Sequence, residues 1–72
     1  MNEWIPVESS HIEAFRHDGE DLYVRFNDGR VYRYVGVPEE ISRQIARTES
    51  PGKFLRRFIM PHFRYERHAD HP

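Results

Sequence analysis

The clearest pattern in the chain is the alternation of apolar and polar residues in the stretch LYVRF. Leu22, Val24 and Phe26 share one face of an extended chain, and Tyr23 and Arg25 share the other. Successive side chains of a β-strand point to opposite faces, so this period of two predicts a half-buried strand.

A second strand is predicted upstream, from Ser10 to His17. Its apolar residues Ile12, Ala14 and Phe15 break strict alternation, which indicates a β-bulge between Glu13 and Phe15. A third strand, VYRY, follows the turn NDG. Three strands joined by short turns predict an antiparallel meander.

The NDG turn decides which residues of the last two strands face each other. With a two-residue turn, Val24 would face Arg33, and burying that unpaired charge costs on the order of several kcal/mol. With a three-residue loop and Gly29 in the left-handed region, Val24 faces Tyr32 and every charge stays outside. We therefore predict that Tyr32 and Tyr34 are core residues; the alternative is a stacking platform for single-stranded nucleic acid.

Two amphipathic helices are predicted after the strands. The first, VPEEISRQIART, begins at Pro38 and has Ile41 and Ile45 on its apolar stripe. The second has Ser50 as its N-cap and Pro51 as its first residue, and it ends or kinks near Pro61, because proline cannot continue a helix. Its apolar face is predicted to hold Phe54, Leu55, Phe58 and Ile59, and its opposite face Lys53, Arg56, Arg57 and Met60.

The order of these elements predicts an α+β fold, a three-stranded antiparallel β-meander followed by two α-helices packed on one sheet face. We divide the chain into a lead-in (1–8), one domain (9–67) and a flexible C-terminal tail (68–72). Whether the segment that carries Trp4 covers the other sheet face is left open. The 72 residues include no cysteine, which excludes disulfides and thiolate zinc sites.

Charge is distributed unevenly along the chain. Residues 1–29 carry seven acidic and two basic side chains, whereas residues 30–72 carry nine basic and five acidic ones. The net charge of −1 is not that of a generic nucleic-acid binder, but the asymmetry allows one basic face. No apolar run approaches the ~18 residues of a membrane span and no leader opens the chain, so we expect a cytoplasmic protein.

Two groups of residues are candidates for binding RNA. The first group lies on the second predicted helix and just after it. Cations at the spacing of an amphipathic helix more often form a solvated face, and this is the alternative for that group. An aromatic ring between arginines suits base stacking in the second group, but it also suits a protein interface or a homodimer formed at the edges of the meander. The first group is Lys53, Arg56, Arg57, Arg64 and Arg67 (the basic band), and the second is Tyr23, Arg25 and Arg33 (the outer-face trio).

Catalysis and metal binding have little support in the sequence. The chain has no cysteine nucleophile, no Gly-rich phosphate loop and no nucleophile elbow, so we expect neither an enzyme nor a cofactor. His62, His68, Asp70 and His71 crowd the C-terminus, but their spacing matches no structural zinc pattern. We predict no metal site there.

The motifs SSHIEAF, LYVRFNDG, VYRYVGVP, SPGKF and YER, taken in order, resemble the KTSC domain from Ser9 to Arg67. Two positions depart from the family pattern: His17, where an aromatic residue is common, and Pro61. The resemblance implies a sheet followed by two helices and no known activity. Because the family also occurs at the C-terminus of some lysyl-tRNA synthetases, it suggests RNA as the partner. We predict a small non-enzymatic binding module, with RNA as the preferred partner and a protein or a second copy as the alternative.

Overall fold

The computed structural model describes residues 3–68, which form a five-stranded antiparallel sheet and helices on one of its faces. The strands are adjacent in chain order: β1 (Ile5–Pro6), β2 (Ile12–Asp18), β3 (Asp21–Phe26), β4 (Val31–Tyr34) and β5 (Tyr65–His68). Between β4 and β5 lie α1 (Glu39–Arg47) and α2 (Pro51–Phe54), and α2 continues into a π-helical segment (Leu55–Ile59). Within residues 3–68, no helix has the length and apolar character needed to cross a membrane.

The α+β class is confirmed, but the prediction of three strands is wrong, because β1 and β5 extend the sheet at both edges. β1 is only two residues long, too short to show a period. In β5 every side chain is exposed, so the strand has no apolar alternation and is defined by its pairing with β4. His68, the first residue of the predicted tail, ends this strand, and residues 69–72 lie outside the described part of the chain.

The predicted register of the β3–β4 hairpin is confirmed. Val24 lies opposite Tyr32, and the backbone N–H of Phe26 donates to the carbonyl of Arg30 at 2.8 Å. Gly29 closes the loop with a φ of +92°, in the left-handed region where a residue with a Cβ is strained. The loop therefore keeps Leu22, Val24, Tyr32 and Tyr34 on one face, which we call the inner face, while Val31 lies opposite Arg25 on the outer face.

β2 contains the predicted bulge one residue earlier than expected. Ile12 and Ala14 pair with successive residues of β3, so Glu13 is the extra residue. The bulge puts Ile12 and Phe15, three residues apart in the chain, on the same face opposite Phe26 and Val24, and both are buried.

The core lies between the inner face and the helices. Leu55 and Ile59 are buried as predicted, but Phe58 is 50% exposed, so its predicted place in the core is wrong. The N–H of Met60 donates to the carbonyl of Leu55, five residues back, at 2.8 Å. This wider π-helical turn aligns Leu55 with Ile59 and turns Phe58 outward, whereas regular α-helical spacing would have kept all three together. The helical winding stops before Pro61, as expected.

One buried polar contact joins β2 to the segment before α1. His17 is 5% exposed, and its Nε2 lies 2.7 Å from the carbonyl oxygen of Val37, which is fully buried. A carbonyl can only accept, so Nε2 carries the hydrogen. The imidazole thus satisfies a carbonyl that an apolar ring at this position would leave without a donor.

We predict that His17→Leu lowers the free energy of unfolding by about 1–3 kcal/mol, because the buried Val37 carbonyl loses its donor. Denaturant unfolding followed by circular dichroism measures the change. His62→Leu, at an exposed histidine, is the control and should stay within about 0.5 kcal/mol of the parent protein. Equal stability of the His17 variant would show that this contact contributes nothing.

Candidate nucleic-acid interface

The outer face of the sheet is covered by side chains. The ring of Trp4 lies 4.3 Å from the guanidinium of Arg25 and 5.3 Å from that of Arg16. Arg16 in turn lies 4.2 Å above the ring of Tyr23, and His68 meets that ring edge-on at 5.1 Å. These contacts have the geometry of cation–π and aromatic pairs. The lead-in thus covers part of the outer face, and Tyr23 is already in contact with two side chains.

Both arginines of the outer-face trio are held by carboxylates. Arg33 is hydrogen-bonded to Glu66 and lies 3.8 Å from Asp21. Arg25 lies 3.7 Å from Glu13. A phosphate that approached either guanidinium would have to compete with these carboxylates.

The basic band has a different environment. In the part of the chain that the structure describes, its five cations make no ion pair within 4.0 Å, and all five are exposed. Other arginines do pair, as Arg43 does with Glu39 at 3.4 Å and Arg30 with Asp28 at 3.6 Å. The acidic residues of the first half of the chain therefore pair mainly with arginines of the sheet and its hairpin loop. The charges of the basic band stay available for a ligand.

The structure does not bring the two predicted groups together. The basic band begins on α2 and its π-helical extension, which pack on the inner face, whereas the outer-face trio points the other way. Arg67 pairs with Tyr32 and so lies on the inner side of β5. The two groups are separate surfaces, and RNA binding by either one stays a prediction.

Three large side chains near the basic band are exposed, and none of them is among the site residues predicted from the sequence. Phe58 is 50% exposed, Met60 40% and Tyr65 56%. Tyr65 stacks on Tyr32 at 5.2 Å, and the guanidinium of Arg57 lies 5.9 Å from the ring of Phe58. No periodicity could have revealed Tyr65, because it lies in a strand that has no buried side.

The two tyrosines of β4 differ in exposure. Tyr34 is 1% exposed, and Tyr32 is half-buried between Phe26 and Tyr65. Burial, with smaller contributions from Tyr32 and Tyr65, raises the pKa of Tyr34 to about 12. Tyr34 is thus a core residue, whereas Tyr32 adds one partly accessible ring to the inner side.

Of the four residues that crowd the C-terminus, the structure describes His62 and His68. Among residues 3–68, no three histidine or acidic side chains are grouped so that they could hold a metal ion. His62 and His68 are exposed, and Asp70 and His71 lie outside the described residues.

Comparison with known proteins identifies, along most of the chain, the family that its sequence motifs resemble. The model of the KTSC domain matches residues 8–63. A protein of Tsukamurella paurometabola is 41% identical over 61 residues, which cover 82% of this chain and 91% of that protein. The crystal structure of a KTSC domain protein from Yersinia pestis superposes with a TM-score of 0.83 at 28% identity, covering 93% of this chain and 97% of that one.

A second kind of relative is much longer. The lysine–tRNA ligase of a Nostoc species is 31% identical over 61 residues, which make up 82% of this chain but 11% of the ligase. The ligase of Trichormus variabilis matches with the same identity and coverage. The similarity therefore extends over a small part of each ligase.

We predict that stability falls between pH 10 and pH 12 and that Tyr34→Phe removes this decline. The folded-state pKa of Tyr34 lies above its usual value of 10.0. The contribution of the protonated hydroxyl to the free energy of unfolding is therefore complete below pH 10 and is lost as pH rises through about 12. Denaturant unfolding at a series of alkaline pH values tests this. A decline of the same size in the phenylalanine variant would contradict it.

Proposed function

Because this chain belongs to the KTSC domain family, we propose that it is a small non-enzymatic module of the cytoplasm that binds RNA weakly through its basic band. The observation that carries the proposal is the set of exposed cations between Lys53 and Arg67 that have no carboxylate partner within residues 3–68. The similarity to part of two lysine–tRNA ligases supports RNA as the partner, since the named substrate of those enzymes is a tRNA.

The physical argument rests on counterion release. Each phosphate neutralised by a lysine or arginine frees condensed cations, so affinity falls steeply with salt. Five cations on single-stranded RNA would give a plot of log K against log salt whose slope is negative and at most roughly 3.5 in magnitude. The affinity would be in the micromolar range or weaker. Because these five form no ion pair with any residue that the structure describes, binding would not require such a pair to be broken.

The outer-face trio is the secondary surface of this proposal. Arg25 and Arg33 would have to exchange a carboxylate for a phosphate, which reduces the net gain. An amide NMR titration with single-stranded RNA and with bulk tRNA distinguishes the two surfaces. Salt-sensitive shifts within residues 53–67 alone would leave the trio out of the interface.

We predict that Arg56→Glu combined with Arg57→Glu lowers RNA affinity at least tenfold at low salt, because two contacts become repulsive. Fluorescence anisotropy of a labelled single-stranded RNA measures the affinity. The double change Arg43→Glu and Arg47→Glu on α1 alters the net charge equally and is the matched control.

Three outcomes are distinguishable in this comparison. A loss confined to the Arg56/Arg57 variant supports the basic band. Equal losses in both variants would mean that net charge alone attracts RNA, and unchanged affinity in the Arg56/Arg57 variant would refute the assignment. A parent protein that shows no binding at low salt would refute RNA binding altogether.

A protein partner or a second copy is the second candidate, favoured by two observations. No other described strand pairs with the outer edge of β5, so its backbone could accept a strand from a partner. Phe58 and Met60 also expose apolar area beside Arg57, a composition common in protein interfaces.

We predict for this candidate that the sedimentation mass rises with concentration and that Phe58→Ser reduces the rise. Because Phe58 is half exposed, the serine variant should fold. Sedimentation velocity over a wide concentration range provides the measurement. A monomer throughout that range would rule out self-association and leave only a different protein as the partner.

A further inference from the structure

A groove of about 420 Å³ lies beside the loop that joins β3 and β4. Its size falls within the range of small-molecule sites, roughly 300–1,000 Å³. Apolar and aromatic side chains form one part of it and polar side chains another. Phe26, Tyr32 and Met60 supply the apolar part, and Ser10, Asn27 and Arg30 belong to the polar part.

The aromatic part of the groove is held in place by ring contacts. Phe26 meets Tyr32 edge-on at 5.5 Å, and Tyr32 stacks on Tyr65 at 5.2 Å. Met60, 40% exposed, adds a polarisable thioether. Rings and a thioether next to hydrogen-bonding groups suit a flat ligand with polar edges, as a nucleobase is.

The polar wall is also ordered by hydrogen bonds. The backbone N–H of Asn27 donates to the carbonyl of His11 at 2.9 Å, and its side-chain Nδ2 donates to the carbonyl of Ser9 at 3.2 Å. The hydroxyl of Ser9 accepts the N–H groups of His11 and Ile12 at 3.1 and 3.2 Å. Asn27 Oδ1 makes no hydrogen bond within residues 3–68, so an acceptor is available for a ligand.

A second cleft, of about 290 Å³, shares the wall formed by Ser10 and His11. Lys53 and Arg56 line it, and neither has a carboxylate partner in the described part of the chain. The cleft also includes Glu8 and Glu49, whose negative charges oppose an anion. An aromatic groove and a cleft that holds two cations and two carboxylates are therefore neighbours on one surface.

We propose that a single-stranded RNA places one base in the groove and the phosphate next to it in the cleft. This inference rests on the proposed function and specifies its ligand as an unpaired nucleotide within a strand. A strand fits better than a free nucleotide because three cations of the basic band do not line the cleft. Arg57, Arg64 and Arg67 remain for further phosphates.

The test compares a short single-stranded RNA with an abasic oligonucleotide that carries the same number of phosphates. We expect the abasic strand to bind about tenfold more weakly, the loss expected when one stacked base is removed. In amide NMR spectra, the normal strand should shift Asn27, Arg30, Tyr32 and Met60, and the abasic strand should shift mainly Lys53 and Arg56. Equal affinities with no shifts in the groove would overturn the inference and leave RNA binding by the basic band intact.

Two variants at the groove and the cleft separate base binding from charge. Met60→Lys adds a positive charge at an exposed position, so binding driven by charge alone should tighten. The inference expects the opposite, a weakening of about threefold or more for normal RNA and none for the abasic strand. Glu49→Gln removes a carboxylate from the cleft and should tighten binding of both strands by about twofold.

The last comparison uses a mononucleotide. Adenosine monophosphate should bind far more weakly than the strand, because it has a single phosphate for the cleft and none for Arg57, Arg64 and Arg67. Affinity equal to that of the strand would overturn the assignment to RNA and assign the groove to free nucleotides. If neither oligonucleotide binds the parent protein at low salt, both the inference and the proposed function are refuted.

Discussion

The register of the β3–β4 hairpin is the constraint on which the rest of the structure depends. Gly29 adopts a φ of +92° and closes a three-residue loop, which places Val24 opposite Tyr32. A shift by one residue would reverse both faces of β4, moving Tyr34 out of the core and Arg33 into it. A chain of 72 residues has too small a core to bury an unpaired guanidinium. One loop therefore determines the hydrophobic core and the chemistry of both sheet faces.

Ion pairing on the sheet determines which cations are available for a partner. Arg33 lies between Asp21 and Glu66, and Arg25 lies near Glu13 and under Trp4. These contacts involve acidic residues from the first half of the chain and from β5. The uneven charge of the sequence thus becomes a spatial separation, with a largely neutralised outer face and a basic band on the helical side. The proposed RNA interface follows from this separation more than from the number of cations.

The last part of the chain contributes most to the inferred binding surface. The π-helical turn exposes Phe58, and the chain then returns as β5 to place Tyr65 against Tyr32. Tyr65 thereby supports Tyr32, which lines the groove beside the hairpin loop. The π-helical turn and the exposed edge strand thereby supply accessible rings near cations that have no carboxylate partner within residues 3–68.

The sequence by itself determined the α+β class, the hairpin register, the bulge near Glu13 and the start of the second helix, and it placed the start of the first helix one residue early, at Pro38. All of these follow from local periodicity, turn chemistry and the cost of burying charge. Only the tertiary structure decided the five-stranded sheet, because β5 has no buried side and is defined by hydrogen bonds to β4. Lys53, Arg56 and Arg57 of the basic band could be named from helical spacing, but the absence of carboxylate partners for the band among the described residues could not be predicted. Which carboxylate meets which guanidinium depends on strand pairing between residues as distant in the chain as Arg33 and Glu66, and no local pattern encodes that.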